Sequence, residues 1–395
     1  MTSPFAPVRL GRRDAGLRER ATGHDSALRR LDWVLALAVA ALIGLGSLLV
    51  WSATRQRMLD ADLDPQAFLK RHLINAVIGL TLASVAALVD YRSLQAYAPV
   101  VYLGACAGLV AVLTPLGSTI NGAHSWIVLG GGFQVQPAEM AKVALVVGMA
   151  ILLADQRDGE DGPRDTDVLL VLTLAAVPVA LIMLQPDLGT VLVLVFIVLA
   201  VLAVSGAPAR WICGLLVAGT VVCVTAVQVG VLDQYQVDRF AAFANPELDP
   251  RGVGYNTNQA RIAIGSGGLW GKGLFEGSQT AGRFIPEQQT DFIFTVAGEE
   301  LGLVGASLLL ALLGVVLWRG LRIASNSPDS FGRLVAAGVV AWFAFQSFVN
   351  IGMTLGIMPV TGLPLPFVSY GGSAMFANLV AVGLLQNVHL GSREL

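Results

Sequence analysis

Charged residues are scarce in this chain of 395 residues. Asp, Glu, Lys and Arg make up 13% of it, against roughly 25% in an average soluble domain, whereas hydrophobic residues reach 55%. This balance excludes a soluble globular enzyme. The net charge of −2 also lacks the basic excess of nucleic-acid-binding proteins, so no nucleic-acid partner is expected.

Cysteines are few as well, and the sequence contains no ATP-binding motif. The three cysteines lie inside apolar runs and show none of the Cys-x-x-Cys or Cys/His spacings of metal and redox sites. We therefore interpret Cys106, Cys213 and Cys223 as packing residues. Because no P-loop pattern is present, ATP-driven transport by this chain alone is not expected.

Long apolar runs, by contrast, are abundant. A membrane core of about 30 Å requires about 20 residues of helix, and ten stretches meet that requirement. They are residues 32–53, 70–90, 97–116, 137–154, 166–184, 187–205, 209–231, 291–318, 331–356 and 367–389. The sequence therefore predicts an all-α polytopic membrane protein with about ten transmembrane helices.

The distribution of Lys and Arg predicts the orientation of the chain. An even number of spans places both termini on one side, and more basic residues fall on that side, which makes it cytoplasmic. The first apolar run is too long for a cleavable signal peptide. We expect an Arg-rich cytoplasmic tail, one transmembrane domain, a long extracytoplasmic segment between helices 7 and 8, and a cytoplasmic C-terminus, at residues 1–31, 32–390, 232–290 and 391–395.

Charged residues inside a membrane helix are unfavourable unless they are paired or functional, and two of them fall in the fourth predicted span. Glu139 and Lys142 are three residues apart, so they lie on one helix face and can neutralise each other. They could form an internal ion pair that fixes helix packing, or they could line a cavity and hold a neighbouring loop. The residues alone leave both interpretations open.

Asp187 opens the sixth predicted span, directly after Gln185 and Pro186. A carboxylate at this position can cap the helix by accepting hydrogen bonds from backbone N–H groups that lack helical partners. At the outer rim of the bundle it could also bind a metal ion or a substrate hydroxyl group. Both interpretations are compatible with the sequence.

A polar segment leads into the eighth predicted span and places Asp291 in its first turn. A carboxylate there is stabilised by the helix dipole. The carboxylates of Glu299 and Glu300 follow further along the same predicted helix. Because a membrane-spanning helix gains nothing from three carboxylates unless it lines a wet cavity, this helix is predicted to line one.

Three other segments carry unusual sequences. The 117–136 loop contains His124 beside a tryptophan, which we interpret as interfacial rather than catalytic. Residues 350–373 form a Pro/Gly-broken backbone near membrane depth, which is tolerated only where it is buried in protein or lines a cavity. Residues 254–273 predict a helix on the bilayer surface with a cationic rim. These Arg and Lys residues could bind a pyrophosphate or a phospholipid head group.

Six motifs occur in order along the chain. They are Asn-Gly-Ala-x-x-Trp-Ile, Gln-Pro-x-Glu-x-x-Lys, Gln-Pro-Asp-Leu-Gly-Thr, Ile-Gly-Ser-Gly-Gly-x-x-Gly-Lys-Gly, Pro-Glu-x-x-Thr-Asp-Phe-Ile-Phe and Pro-x-Thr-Gly-x-Pro-Leu-Pro-Phe-x-Ser-Tyr-Gly-Gly-Ser. Together they resemble the SEDS family, the RodA/FtsW/SpoVE peptidoglycan polymerases, over about residues 30–390. The Pro-Glu-Gln-Gln-Thr-Asp form is more similar to RodA, the elongation member. His124 and Ser125 depart from an arginine found in many relatives, and Gln289 departs from a histidine.

The resemblance implies a ten-helix glycosyltransferase that polymerises lipid II into glycan strands on the outer face of the bacterial cytoplasmic membrane. It also implies a class B penicillin-binding protein and elongation-complex proteins as partners. The family's essential aspartate matches Asp291, the candidate catalytic residue. The candidate residues for substrate binding or for lining the cavity are Asp187, Glu139, Lys142, Gln259, Lys272, Glu300 and Ser369. A divalent cation, Mg²⁺ or Mn²⁺, is implied by the family alone, with Asp187 and Asp291 as candidate ligands.

The expected chemistry is attack by the 4-hydroxyl of one lipid II sugar on the anomeric carbon of another chain, with Asp291 as the general base. Intramembrane carboxylates and broken helices also fit a lipid II flippase or another lipid transporter. A scaffold for the penicillin-binding protein and a division-type, FtsW-like polymerase are further alternatives. The acidic residues cluster at the predicted outer rim rather than at the midplane, which favours the polymerase.

Overall fold

The fold is a computed structural model that describes residues 27–120, 123–129, 133–154, 162–230 and 253–392. The expectations for residues 1–26, 231–252 and 393–395 lie outside these ranges. Within them, nine helices are long and apolar enough to cross a membrane. The helical, polytopic fold predicted from the apolar runs is confirmed.

The elements follow one another along the chain with short connections. The helices are α1 (Ala27–Arg30), α2 (Trp33–Asp60), α3 (Ala67–Leu88), α4 (Tyr91–Val112), α5 (Pro137–Ala154), α6 (Asp165–Met183), α7 (Leu188–Val204), α8 (Ala209–Val229), α9 (Val253–Ser266), α10 (Ser278–Ala281), α11 (Ile293–Glu300), α12 (Gly302–Asn326), α13 (Ser330–Leu355) and α14 (Gly372–Gly391). The strands are β1 (Gly117–Ile120), β2 (Ala123–Leu129) and β3 (Phe133–Val135). The apolar helix α7, of 17 residues, is shorter than the nine and corresponds to the sixth predicted span.

The eighth predicted span is interrupted. A single helix was expected over 291–318, but α11 ends at Glu300 and the spanning helix α12 begins at Gly302. Gly302 has a φ of +66°, a left-handed conformation that glycine adopts without steric cost. The last carbonyl groups of α11 accept hydrogen bonds from the N–H groups of Lys272 and Gly273, each at 3.0 Å. The prediction of one continuous helix was wrong, because contacts with a remote turn satisfy its break.

The 117–136 loop contains a small antiparallel sheet of order β1-β2-β3, which the all-helical prediction did not include. Ile127 of β2 pairs with Gly117 of β1 on one side and with Val135 of β3 on the other. The β2 sequence Ala-His-Ser-Trp-Ile-Val-Leu is rich in the β-branched and aromatic residues that favour strands. The sheet leads directly into α5.

The centre of the bundle is formed by α5, α13 and α14. Between 72% and 78% of the apolar window of each of these helices is buried inside the protein, whereas none of the window of α8 is buried. The three central helices therefore form the core, and α8 lies at its periphery. The polar residues considered next are carried by the central helices or by segments that contact them.

Two sets of contacts define the two ends of the bundle. Asp32, directly before α2, donates its N–H to Gln386 Oε1 at 2.9 Å and accepts a hydrogen bond from Gln386 Nε2 at 3.0 Å. The start of α2 and the end of α14 therefore lie together, at what we call the Asp32 end. Further along α2, Ser52 Oγ donates to Glu300 Oε1 at 2.6 Å. The segment with Asp291 thus lies at the opposite end, the Asp291 end.

Candidate active site

Asp291 lies in the turn that leads into α11, with its side chain partly exposed. Hydrogen bonds from other segments hold the backbone at this turn. The side-chain amide of Asn350 donates to the Asp291 carbonyl oxygen at 2.8 Å, and the Ser369 hydroxyl donates to the Thr290 carbonyl oxygen at 2.5 Å. The candidate catalytic carboxylate is therefore attached to a fixed backbone.

Gln289, which stands where many relatives have a histidine, takes part in the same turn. Its carbonyl oxygen accepts the N–H of Tyr370 at 2.8 Å, and its side-chain amide donates to Glu287 Oε2 at 3.1 Å. Glu287 has a φ of +52°, in the left-handed region. The Gln289 side chain is buried and stabilises the turn that precedes Asp291.

The 356–371 segment passes beside the Asp291 carboxylate. A Cβ atom at Gly362 would lie 3.5 Å from Asp291 Oδ2, so the carboxylate faces this glycine, whose φ of +76° favours glycine over other residues. A Cβ atom at Gly189, in the first turn of α7, would lie 2.9 Å from the Thr361 carbonyl oxygen. The segment therefore lies between Asp291 and the start of α7, and its Pro/Gly-broken backbone contacts protein on both sides.

Asp187 caps α7. Its Oδ1 accepts the Thr190 N–H at 3.0 Å, and its Oδ2 accepts the Thr190 hydroxyl at 2.8 Å. Oδ2 also accepts a hydrogen bond from Gln136 Nε2 at 3.0 Å, which joins the end of the sheet to α7. These three bonds use most of the acceptor capacity of the carboxylate. Little of it is left for a metal ion or a substrate hydroxyl.

Glu139 and Lys142 form an ion pair in the core, with Lys142 Nζ 2.7 Å from Glu139 Oε1 and both side chains at most 2% exposed. Lys142 Nζ also donates to Gln346 Oε1 on α13 at 3.0 Å. Gln346 in turn donates through Nε2 to the Pro364 carbonyl oxygen at 2.7 Å. The pair therefore connects α5 to α13 and, through Gln346, to the segment beside Asp291. Helix packing and loop attachment are both served by these contacts.

Glu299 is fully buried and anchors the 272–281 segment. It forms an ion pair with Lys272 at 2.8 Å and accepts the N–H groups of Gln279 and Thr280, each at 2.8 Å. Burial alone would raise the pKa of Glu299, but these hydrogen bonds outweigh it and hold the pKa below its usual range. The ammonium group of Lys272 is thus already paired with a carboxylate, which makes it a poor candidate for binding pyrophosphate.

Glu300 is buried beside a cleft of about 250 Å³ that is also lined by Ser52, Arg55 and Phe275. The Arg55 guanidinium lies 5.3 Å from the centroid of the Phe275 ring. Burial raises the pKa of Glu300 above its usual value. The two carboxylates near the end of α11 thus attach neighbouring segments, and the predicted wet wall of a spanning helix is not what they form.

The α9 helix packs on the segment that carries Asp291. One of its faces forms a small apolar cluster of Ala260, Ala263, Ile285 and Phe292. Gln259 lies half-buried on the same helix, and Arg261 is exposed. The prediction of a helix lying on the bilayer surface was therefore wrong for the packed face of α9, which joins it to the acidic turn.

The structure contains no ready-made metal site in the residues that it describes. Across those ranges, no group of three or more His, Cys, Asp or Glu side chains could hold a metal ion. Mg²⁺ is usually bound by one or two carboxylates together with water and substrate phosphates. Asp291 could supply one carboxylate, whereas that of Asp187 is occupied by its cap. Without substrate, these donors do not form a cation site.

Two residues that contact the acidic turn were not predicted as site residues, namely Asn350 and Tyr370. The only sequence signal for Asn350 was an amide in an apolar helix of 26 residues. Its partners lie 59 and 13 residues away in the sequence. Local pattern does not reveal such pairings.

The family described as "Cell cycle protein", named for FtsW, RodA and SpoVE, matches residues 32–394. The chain belongs to this family. The peptidoglycan glycosyltransferase MrdB of Escherichia coli (strain K12) is 37% identical over 360 residues, covering 91% of this chain and 93% of MrdB. The probable peptidoglycan glycosyltransferase FtsW of Trichlorobacter lovleyi is 36% identical over 365 residues, covering 92% of this chain and 94% of FtsW.

Solved structures of the FtsW/RodA/SpoVE family have the same fold. The crystal structure of Thermus thermophilus RodA matches with 34% identity and a TM-score of 0.67, covering 91% of this chain and 96% of RodA. A chain from a peptidoglycan synthase complex that coordinates polymerization and crosslinking matches with 36% identity and a TM-score of 0.77, covering 92% of this chain and 98% of that one. The protein is thus a multi-pass membrane peptidoglycan glycosyltransferase. FtsW and MrdB match almost equally well, so similarity does not separate division from elongation.

Proposed function

We propose that this protein polymerises lipid II into glycan strands on the outer face of the cytoplasmic membrane, with Asp291 as the general base. One observation carries the catalytic assignment. The backbone of Asp291 and of Thr290 is held by Asn350 and Ser369, while the Asp291 side chain stays partly exposed beside Gly362. A fixed, accessible carboxylate is what proton removal from a substrate hydroxyl requires.

The proposed reaction transfers a glycan chain between two lipid-linked sugars. Asp291 accepts the proton of the 4-hydroxyl of the acceptor sugar while its oxygen attacks the anomeric carbon of the donor. The bond between that carbon and undecaprenyl pyrophosphate breaks, and the pyrophosphate leaves with the bonding electrons. Because attack and departure occur on opposite faces, the α-linked donor gives a β-1,4 linkage.

The leaving pyrophosphate carries about two negative charges and needs cationic stabilisation. Arg261 on α9 is exposed, and its side chain reaches the end of α13, where a Cβ atom at Gly356 would lie 3.3 Å from Arg261 Cδ. It is a better candidate for this role than Lys272, which is paired with Glu299. Mg²⁺ or Mn²⁺ stays a family-based expectation, and no step of the proposed reaction is assigned to it.

We further propose the partners and the orientation that the family implies. The matched chain in the synthase complex belongs to an assembly for polymerization and crosslinking, which supports a class B penicillin-binding protein as the crosslinking partner here. The elongation role and the elongation-complex partners rest on the RodA-like Pro-Glu-Gln-Gln-Thr-Asp sequence. Both termini are placed in the cytoplasm, so that the Asp291 end faces outward.

The test is a glycan-polymerisation assay with purified full-length protein and fluorescent lipid II. It is run with Mg²⁺, Mn²⁺ or a chelator, and with or without the penicillin-binding protein. A positioned base contributes about 10²–10⁴-fold to the rate, so Asp291→Asn should lose about that factor. Asp64→Asn is the control, since Asp64 is an exposed carboxylate paired with Lys70 in the loop after α2.

The alternatives give different results in the same preparation. Strand synthesis by the Asp291→Asn protein at the wild-type rate would remove Asp291 from the mechanism. Failure of the wild type to make strands even with its partner, together with movement of lipid II across liposome membranes, would identify a lipid carrier instead.

A further inference from the structure

Asn350 is a fully buried amide at a point where three segments of the chain meet. It lies on α13 and is 0% exposed. Its Nδ2 donates one hydrogen bond to the Asp291 carbonyl oxygen at 2.8 Å and another to the Leu363 carbonyl oxygen at 2.7 Å. Both amide protons are therefore used. One side chain thus joins α13, the turn before α11 and the 356–371 segment.

These two hydrogen bonds bear directly on the Asp291 carboxylate. Leu363 follows Gly362, the residue that the carboxylate faces, with 3.5 Å between Asp291 Oδ2 and the Cβ position of the glycine. Asn350 binds the backbone of Asp291 and the backbone next to Gly362 at the same time. The separation between the carboxylate and this segment is therefore set by the Asn350 amide.

Packing alone does not explain an asparagine at this position. Asn350 Oδ1 has no hydrogen-bond partner in the described part of the chain, and a buried polar atom without a partner is unfavourable. The opposite amide orientation would turn this oxygen toward two carbonyl oxygens, so the contacts determine the orientation. An apolar side chain would avoid the unpartnered oxygen but would lose both donated bonds. The residue is explained by its donors.

We propose that Asn350 is a positioning residue for the transferase reaction. It holds Asp291 where the carboxylate accepts the proton of the attacking hydroxyl, and it does not touch the substrate. This inference rests on the function proposed above, because Asn350 acts through Asp291. Ser369 and Tyr370 hold the two preceding carbonyl groups, but both belong to the 356–371 segment itself. Asn350 attaches the turn to a helix of the central bundle.

Asn387 provides a matched control. It is a buried asparagine on α14, next to Gln386 at the Asp32 end, and it also donates to backbone carbonyl groups of another segment. Its acceptors, at 3.0, 3.1 and 2.7 Å, are the carbonyl oxygens of Ala86, Ala87 and Val89. Asn350→Ala and Asn387→Ala should therefore lower the unfolding temperature by similar amounts. Asn350→Ser and Asn387→Ser form a second pair if an alanine variant does not fold.

The experiment measures kcat and KM for fluorescent lipid II with the full-length variants. A misplacement of about 1 Å at a catalytic group can lower a rate about 100-fold, so Asn350→Ala should lower kcat by about 10- to 100-fold. Its KM should stay within about twofold of wild type, because the interaction removed does not bind substrate. Asn387→Ala should change kcat less than about threefold, because it lies away from the reacting groups.

Equal losses of kcat in Asn350→Ala and Asn387→Ala would overturn the inference, as would a loss that appears in KM alone. Asp291→Asn, assayed in parallel, separates this result from failure of the proposed function. If Asp291→Asn polymerises lipid II at the wild-type rate, both proposals are wrong. If Asp291→Asn is inactive and Asn350→Ala keeps the wild-type kcat, only the positioning role is wrong.

Discussion

The backbone of Gly46 in α2 lies directly against the backbone of Val368. A Cβ atom at Gly46 would be 2.6 Å from the Val368 carbonyl oxygen and 2.7 Å from the Val368 Cα. Val368 immediately precedes Ser369, whose hydroxyl holds the Thr290 carbonyl oxygen. Glycine permits such close approach between a membrane helix and another backbone. Gly46 therefore helps to set the position of the segment that supports Asp291.

We predict that Gly46→Ala displaces this segment, because backbone atoms cannot move aside for a methyl group as a flexible side chain can. The expected cost is about 1–3 kcal/mol of stability, with a lower polymerisation rate. Gly44→Ala is the control, since nothing lies within 4 Å of the Cβ position of Gly44. Thermal unfolding in detergent and the strand assay measure both effects. Equal behaviour of the two variants would contradict the contact.

Ser369→Ala should lower the polymerisation rate by about tenfold, because the turn before Asp291 loses one of its attachments. The Ser369 hydroxyl donates to the Thr290 carbonyl oxygen and accepts the Leu365 N–H at 2.8 Å. Ser47→Ala is the matched control: Ser47 is a buried serine whose hydroxyl donates only within α2, to the Ile43 carbonyl oxygen at 2.7 Å. The assay compares the rates of the two variants, and similar rates would show that the hydroxyl of Ser369 has no part in supporting the turn.

Lys142→Met should destabilise the protein by about 3–5 kcal/mol, because the Glu139 carboxylate is left buried without its partner. The double variant Glu139→Gln/Lys142→Met should recover most of this loss, since it removes both charges. The exposed pair of Lys70 and Asp64, at 59% and 47% exposure, is the control. Lys70→Met should cost less than about 1 kcal/mol. Unfolding curves decide the matter, and a Lys142→Met variant as stable as Lys70→Met would refute the role of the pair.

Glu299→Gln should loosen the 272–281 segment, because the neutral amide loses the ion pair with Lys272 and one of the two carboxylate acceptors. Hydrogen exchange at the amides of Gln279 and Thr280, which bond to Glu299, should accelerate by at least about tenfold, equivalent to about 1.4 kcal/mol. Glu300→Gln is the comparison, since it should leave these two amides unchanged. Exchange at the wild-type rate in Glu299→Gln would mean that other contacts hold the segment.

The membrane fold could be predicted because about 20 apolar residues in a row have few alternatives to a spanning helix. The break at Gly302 could not, since residues 291–318 are continuous in their hydrophobicity and the break depends on a turn near Lys272. The sheet at 117–136 was missed for a different reason. Its strands are short, and a loop between two spans gives no periodicity long enough to identify them.

The candidate site could be predicted where the chemistry is local. The pairing of Glu139 with Lys142 follows from their spacing of three residues on one helix, and the cap of α7 follows from the position of Asp187. The attachment of Asp291 to Asn350 spans 59 residues. It depends on how α13 packs against the rest of the bundle, and no single segment of the sequence contains that information.

The first long helix of the chain gains its polar partners last. Asp32 is bonded to Arg319 and to Gln386, which are 287 and 354 residues further along the sequence. During synthesis at the ribosome, α2 enters the membrane well before these residues are translated, so its carboxylate waits for them. Chains that stop before α12 keep this charge unpaired at the edge of the bilayer, and we expect quality-control proteases to remove them. The last helices to be made therefore decide whether the first one is stable.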